Sequence, residues 1–535
     1  MPAEDITHRP SRCQGPLFLL KTGLPVLLFF ALVTTAAFFY FSKAAFIGFH
    51  DHDWGCFVDA AWRILRGQRI YVDFLFPYGP GHLYLQALFF LIFGFGKSAI
   101  LWQLIVVNTA AVMAVFLAFY RRMPLVLCLA AAVLEMFYFQ WAYPFPYYDY
   151  TAHLPGILAA AWLFRWLTSG SDRGAFMTGL VCGIGGMASV VTKINIGGIY
   201  GLVFGAVLLL PPARVRAFAG LVTGSAAVLA LSFITAPSPQ SYFEQVFIYT
   251  AFQMNRLVWL QDVAPLARPF YLLPVLVLAV AVLFFKKEKK EHAPVMVFFL
   301  GMWVIGTFSR LTSSSFKGTD FYFANAGLYA GAGFFILYRY WQEAAGKILK
   351  ITALLALGVF AVPVILRASA LYQFNDLRVK HNIGFVREYQ MGRIPPERVY
   401  RLKTGPFRGW VHLDIVGEAL DDKMETIRNL IAPDESFLIL SSDQILYALT
   451  GRDGPLGMPF CWGVDNTEPP PGKLWKQVHD SLIMNPPDWI LTLREDRNPV
   501  NSIMTYMQLP PEYLLRDYTL VRAWGDRALF RRNRL

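Results

Sequence analysis

His82-Leu-Tyr-Leu-Gln-Ala-Leu-Phe-Phe-Leu-Ile-Phe-Gly-Phe95 is the run on which the topology of this chain turns. If it crosses a membrane, every later segment inverts, and Arg121-Arg122 and Lys286-Lys-Glu-Lys-Lys290 lie outside. If it is a helix lying in the interface, those clusters all face the cytoplasm. The run is about 14 residues long where a span needs about 20, and cytoplasmic loops carry the excess of Lys and Arg. Length and charge agree on the interfacial reading.

That a membrane is involved follows from composition. Of 535 residues, 56% are hydrophobic and 16% charged, whereas an ordinary soluble chain carries about a quarter charged residues. The formal charge of +12 comes from Lys and Arg dispersed between apolar runs. There they set topology, so no nucleic-acid partner is expected. The five cysteines (Cys13, Cys56, Cys128, Cys182, Cys461) show no metal spacing, and Cys56 could meet Cys461 if both lie outside. The first apolar run, Gly23 to Phe41, exceeds the roughly 7–15 residues of a signal h-region and is read as a retained helix.

Arg9, Arg12 and Lys21 precede that helix and place the N-terminus in the cytoplasm. The chain emerges outside near Ser42, just before His50-Asp-His-Asp53. From Trp54, apolar positions recur at helical spacing (Trp54, Phe57, Val58, Ala61, Ile64, Leu65), with Asp59, Arg63 and Arg66 on the other face. This predicts a short surface helix stopping near Gly67. Tyr71-Val-Asp73-Phe and Pro77-Tyr-Gly-Pro80 then form an extended, turn-rich link to the second interfacial helix.

Spans are expected at Ser98–Tyr120, Met123–Ala142, Leu154–Leu167, Ala175–Val191, Ile194–Leu210, Ala217–Thr235, Pro269–Phe285, Pro294–Phe308, Phe321–Leu337 and Ile351–Leu366. With the first, that makes about eleven transmembrane helices. Residues 1–366 form the transmembrane domain, with a first outer loop at 42–97, and residues 367–535 form one extracytoplasmic α/β domain. Ser436–Ser441 and Trp489–Leu493 read as buried strands, and Tyr518–Phe530 as a hairpin turning at Gly525-Asp526.

On this topology five polar sets converge on the outer surface: Asp51 with Asp53; Asp149 with His153, in the loop before Leu154; Lys193, in Thr192-Lys-Ile-Asn195; Arg256; and Arg310, Lys317 and Asp320. A carboxylate near hydrocarbon is costly and marks a candidate site. Facing several cations, it suits one reaction: the carboxylate deprotonates a hydroxyl nucleophile and the cations stabilise a departing phosphate. A divalent cation (Mg2+ or Mn2+), held by Asp51, Asp149 or His153, could share the second task. Each residue also has a structural reading. Asp53 can cap the surface helix, Asp149 and His153 can belong to an aromatic belt loop, and Lys193 and Arg310 can be snorkelling cations.

The order Asp53-x-Gly55, Ala60-Ala-Trp-Arg-Ile-Leu-Arg-Gly67, Tyr71-x-Asp73-Phe74, Pro77-Tyr-Gly-Pro80 and Leu91-Ile-Phe-Gly94 resembles the first outer loop of the GT-C glycosyltransferases. The nearest branch is that of the bacterial family-39-like proteins related to protein mannosyltransferases and the lipid A aminoarabinose transferase. Gly185 to Lys193 is similar to the family's glycine-containing helix ending in Thr-Lys. The resemblance implies a GT-C fold in the bacterial inner membrane. It also implies inverting transfer of a sugar from a polyprenyl-phosphate donor to a glycan, lipid or protein acceptor at the outer face. On that likeness Asp53 is the catalytic base, Asp149 the second acidic partner and Lys193 a donor-phosphate contact. Two positions depart from the family: its first acidic pair reads Asp53-Trp54, with the extra carboxylate upstream at Asp51, and Pro77 stands near a glutamate that some members carry. The competing class is a lipid or glycan transporter or flippase. It predicts ionisable groups near helix centres and an inverted repeat; here they gather mostly at helix ends, and no repeat is visible.

Overall fold

A computed structural model describes residues 16–47, 53–74, 76, 78–141, 145–169, 172–235, 238–248, 293–312, 324–343, 392–393, 395, 399–441, 443–454, 483–493, 516–525 and 527–533. The helices are α1 (Pro16–Ala44), α2 (Asp53–Leu65), α3 (Gly81–Phe93), α4 (Lys97–Phe119), α5 (Leu125–Met136, continued by a π turn at Phe137–Trp141), α6 (Tyr148–Leu167), α7 (Ala175–Thr192), α8 (Ile194–Leu208), α9 (Arg214–Thr235), the short α10 (Pro239–Tyr242), α11 (Ala293–Thr312) and α12 (Ala326–Glu343). Among the described residues, four helical stretches are long and apolar enough to cross a membrane: Gly23–Ala44, Lys97–Phe119, Ala175–Thr192 and Arg214–Ile234. The protein is therefore an integral membrane protein. The spans expected at Pro269–Phe285 and Ile351–Leu366, and the domain boundary at 366, lie outside the described residues.

Helix α7 lies closest to α9. A Cβ on Gly179 would stand 1.7 Å from the Ala217 carbonyl oxygen, and one on Gly220 would stand 2.0 Å from that of Phe176. Small residues let two backbones approach this far, which is how helices gain packing energy in lipid. Helix α12 is capped from the side: the buried Glu135 of α5 accepts the Gly327 N–H at 2.8 Å, so an orphan donor of its first turn is satisfied.

The C-terminal part carries β1 (Val399–Arg401) and β2 (Val411–Leu413), paired antiparallel. A four-stranded sheet in the order β3-β4-β6-β5 (Phe437–Leu440, Trp489–Leu493, Arg527–Arg532, Tyr518–Trp524) follows. Strands β3 and β4 are parallel, and β6 runs antiparallel to both its neighbours. Helices α13 (Asp414–Leu430) and α14 (Ile445–Thr450) accompany the sheet. Strands β3 and β4 and the β5–β6 hairpin match the sequence expectation, whereas β1 and β2 are too short to show a strand pattern. Asp443, buried, accepts from Lys423 Nζ at 2.7 Å and Arg527 Nε at 2.6 Å. Burial works against its charge, but Lys423 and Arg527 outweigh that and hold the carboxyl well below the ordinary range. A depressed carboxylate contributes stability that is complete above the unfolded value of about 3.9 and is lost progressively as pH falls below it. Thermal unfolding followed by tryptophan fluorescence should show the domain's midpoint dropping below about pH 4, with a weaker drop in Asp443→Asn.

The hairpin β1–β2 shows where the first loop begins and ends. Val411 N–H donates to the Phe46 carbonyl at 2.9 Å, Trp410 meets Phe46 edge-on at 5.4 Å, and Phe95 meets Phe407 at 5.5 Å. Lys97 Nζ lies 5.4 Å from the centre of the Phe46 ring. The chain thus leaves α1 and enters α4 at the same end of the bundle. Helix α3, about 20 Å long at 1.5 Å per residue, neither needs to cross nor is long enough to.

Candidate active site

Lys193 occupies the joint between two helices. It is extended (φ −151°, ψ 109°), its N–H closes α7 on Ser189 O, and its C=O accepts Gly197 N–H in the first turn of α8. A cation suits the carbonyl end of α7. The residue is 9% exposed. Its ammonium donates to Asp149 Oδ1 at 2.5 Å and lies 4.4 Å from the centre of the Tyr148 ring. Burial pulls the Lys193 pKa below the ordinary lysine value, and Asp149 opposes that pull.

Asp149 and His153 are expected in a loop before Leu154; instead α6 starts at Tyr148 and includes both. An acidic residue in the first turn favours that start through the helix dipole, and the preceding aromatics pack inward. His153, one turn further on, is buried with Nδ1 3.1 Å from Tyr200 Oη of α8. Among the described residues no group of three or more His, Cys, Asp or Glu could hold a metal ion. Asp149 is bonded to Lys193, so among the described residues the expected ligands Asp149 and His153 do not form a cation site.

The turn after Phe76 is pressed against the end of α7. A Cβ on Gly79 would stand 1.8 Å from the Val191 carbonyl oxygen, and one on Gly81 would stand 2.2 Å from Thr192 Oγ1. Gly79-Pro-Gly81 thus runs alongside the residues that lead into Lys193. Gly79→Ala is expected to lower the unfolding midpoint by the equivalent of about 1–3 kcal/mol or more. Gly198→Ala, where a Cβ meets nothing within 4 Å, serves as the neutral control. The segment is anchored upstream as well. Tyr71, at φ 67°, donates its hydroxyl to the Tyr78 carbonyl at 2.6 Å, and Gln245 Oε1 accepts Phe76 N–H at 2.9 Å.

Aromatic rings join these parts. Tyr78 lies 4.7 Å from Tyr148, centre to centre. Phe57 of α2 lies 5.0 Å from Tyr148 and 5.1 Å from His82. His82 in turn has Nδ1 2.9 Å from Thr151 Oγ1. Asp53 is the first residue of α2, one turn before Phe57, or about 6 Å along the axis. No sequence signal sets Phe57, Tyr78 and Tyr148 apart, because a core aromatic and a site aromatic look alike in a chain so rich in both.

The structure therefore brings together Asp149, Lys193 and, one turn below, His153. Arg310 falls in the last turn of α11. Asp51, Arg256, Lys317 and Cys461 lie outside the described residues. Asp59 and Arg63 are placed by pattern on the polar face of a surface helix, which water would bathe. In the structure both are fully buried, because α14 covers that face.

No protein-family model matches this sequence, and no curated protein is similar to it by sequence. Among solved structures, the chain resembles ArnT from Cupriavidus metallidurans bound to undecaprenyl phosphate. The TM-score is 0.54 at 13% identity, over 94% of this chain and 97% of that one. It also resembles the same protein in the apo state, with a TM-score of 0.51 at 14% identity, over 95% and 98% of the two chains. The likeness defines the fold as GT-C-like, extending over the bundle and the small mixed sheet.

Proposed function

We propose that this protein is an inverting GT-C glycosyltransferase of the bacterial inner membrane. It moves a sugar from a polyprenyl-phosphate donor to a hydroxyl of a glycan, lipid or protein acceptor at the outer face. Residues 1–366 form the catalytic membrane domain and 367–535 an extracytoplasmic domain, with the N-terminus in the cytoplasm. Asp53 takes the proton of the acceptor hydroxyl, whose oxygen attacks the anomeric carbon. The bond from that carbon to the phosphate oxygen breaks, and polyprenyl phosphate leaves with the electron pair. Lys193, with Arg256, Arg310 and Lys317, stabilises the charge on the departing phosphate. Asp149 keeps the Lys193 ammonium in place, and no step is assigned to a metal.

The observation that carries this reading is the contact of Phe57 with Tyr148. It sets the helix that begins at Asp53 against the ring on which the Lys193 ammonium rests, which supports a base and a cation acting in one assembly. Support for a polyprenyl-phosphate donor comes from the ArnT likeness, since that protein was solved with undecaprenyl phosphate bound. The test is transfer by Asp53→Asn in membranes supplied with lipid-linked sugar donors. Native-level transfer by that variant removes Asp53 as the base.

A further inference from the structure

Helix α2 is held from two sides, and only one of them belongs to the site above. At about 100° per residue, Gly55, Asp59, Arg63 and Arg66 lie roughly 160–240° around the helix from Phe57. On that far face Arg63 Nε donates to Asp59 Oδ2 at 2.8 Å, with both side chains fully buried. The guanidinium sits 4.9 Å from the centre of the Tyr447 ring of α14. A Cβ on Gly55 would stand 3.1 Å from Ile445 Cβ. At the rim, Asp453 accepts from Gln68 at 3.3 Å and pairs with Arg66 at 3.4 Å.

A short surface helix has no need to bury an ion pair. Turning its polar face to water would spare the desolvation of both charges, several kcal/mol per ion in order of magnitude. A buried pair adds little stability over an apolar one, whereas it can specify orientation. Here it fixes the angle of α2 about its own axis, with Phe57 seated among the site aromatics and Arg63 under Tyr447. A displacement of about 1 Å at a reacting group can cost a hundredfold in rate, so a helix that begins with the base must be clamped.

We propose that α14 of the soluble domain is a latch on α2, and that Arg63 and Tyr447 are positioning residues that set Asp53 for transfer. This rests on the transferase reading above. Two measurements on the full chain in nanodiscs test it: hydrogen exchange of the 55–65 amides, and steady-state transfer from a panel of undecaprenyl-phosphate hexoses and pentoses. Tyr447→Ala, and the neutral pair Asp59→Asn with Arg63→Met, should each speed exchange across 55–65 by about tenfold or more. They should lower kcat by about tenfold or more, with KM for the donor within about twofold. Tyr447→Phe keeps the ring and loses only the hydroxyl that accepts Ile439 N–H at 2.7 Å, and should restore both readouts. Unchanged exchange and kcat in Tyr447→Ala overturn the latch. So does a KM that rises in step with the loss of kcat, or a Tyr447→Phe as impaired as Tyr447→Ala. If the native chain transfers from no donor in the panel, the transferase reading fails. The exchange arm then decides the latch by itself: native-like exchange in Tyr447→Ala refutes it, and accelerated exchange upholds the docking.

Discussion

Lys193→Met is expected to destabilise the protein by about 3–5 kcal/mol. The Asp149 carboxylate, fully buried, then loses the ammonium bonded to it at 2.5 Å. Removing the cation from a buried ion pair leaves the other charge uncompensated where water cannot screen it, which is why the single loss is costly. Asp149→Asn orphans the ammonium instead and should also destabilise. The double variant Asp149→Asn, Lys193→Met removes both charges and should recover most of the loss, since a buried pair replaced by neutral groups of similar size is often close to neutral. Unfolding midpoints in detergent for the four proteins form a double-mutant cycle. Single variants that each cost less than about 1 kcal/mol would place the pair in a wet environment. The double variant also separates folding from chemistry. It should fold and yet transfer poorly, because the cation proposed to meet the departing phosphate is gone.

Asp53→Asn is expected to reduce transfer by about 10²- to 10⁴-fold, the range that a positioned general base supplies. The amide cannot accept the hydroxyl proton, so the acceptor must lose it to water during attack. The variant keeps the side-chain shape at the start of α2, and an amide caps a helix about as well as a carboxylate. A purely structural Asp53 therefore predicts nearly native turnover. Parallel assays of kcat and of undecaprenyl phosphate binding distinguish the two outcomes. A loss confined to kcat marks the base, whereas equal losses in binding and rate mark a collapsed site. In combination with Tyr447→Ala, the effect should be less than the product of the single losses, because a latch matters only while there is a base to place.

The limits of α4, α7, α8 and α9 fall within a few residues of the expected spans because hydrophobic length and the flanking Gly, Pro and charged residues are local properties. Strands β3 and β4 were legible for the same reason. The start of α6 was not: Tyr143 to Tyr148 carries the prolines and aromatics of a belt loop, and only inward packing of Tyr147 and Tyr148 draws Asp149 into the helix. Gly79 and Gly81 read as turn residues, whereas the structure needs them bare because the Val191 carbonyl and the Thr192 side chain of α7 touch them. Lys193 was visible as a cation at a helix end, but not its bond to Asp149, 44 residues away. Nor could the pattern show that the charged face of α2 lies under Tyr447. A face bearing Asp59 and Arg63 is written identically whether water or a protein domain covers it.

The sequence by itself thus determined an integral membrane protein built from apolar helices and the limits of α4, α7, α8 and α9. The tertiary structure alone decided which polar residues are buried, which are paired and which helix holds another in place. Hydrophobicity and chain punctuation sum along neighbouring residues. The cost of burying a charge depends on groups that arrive from elsewhere in the chain, and those meet only when the helices and the sheet are packed.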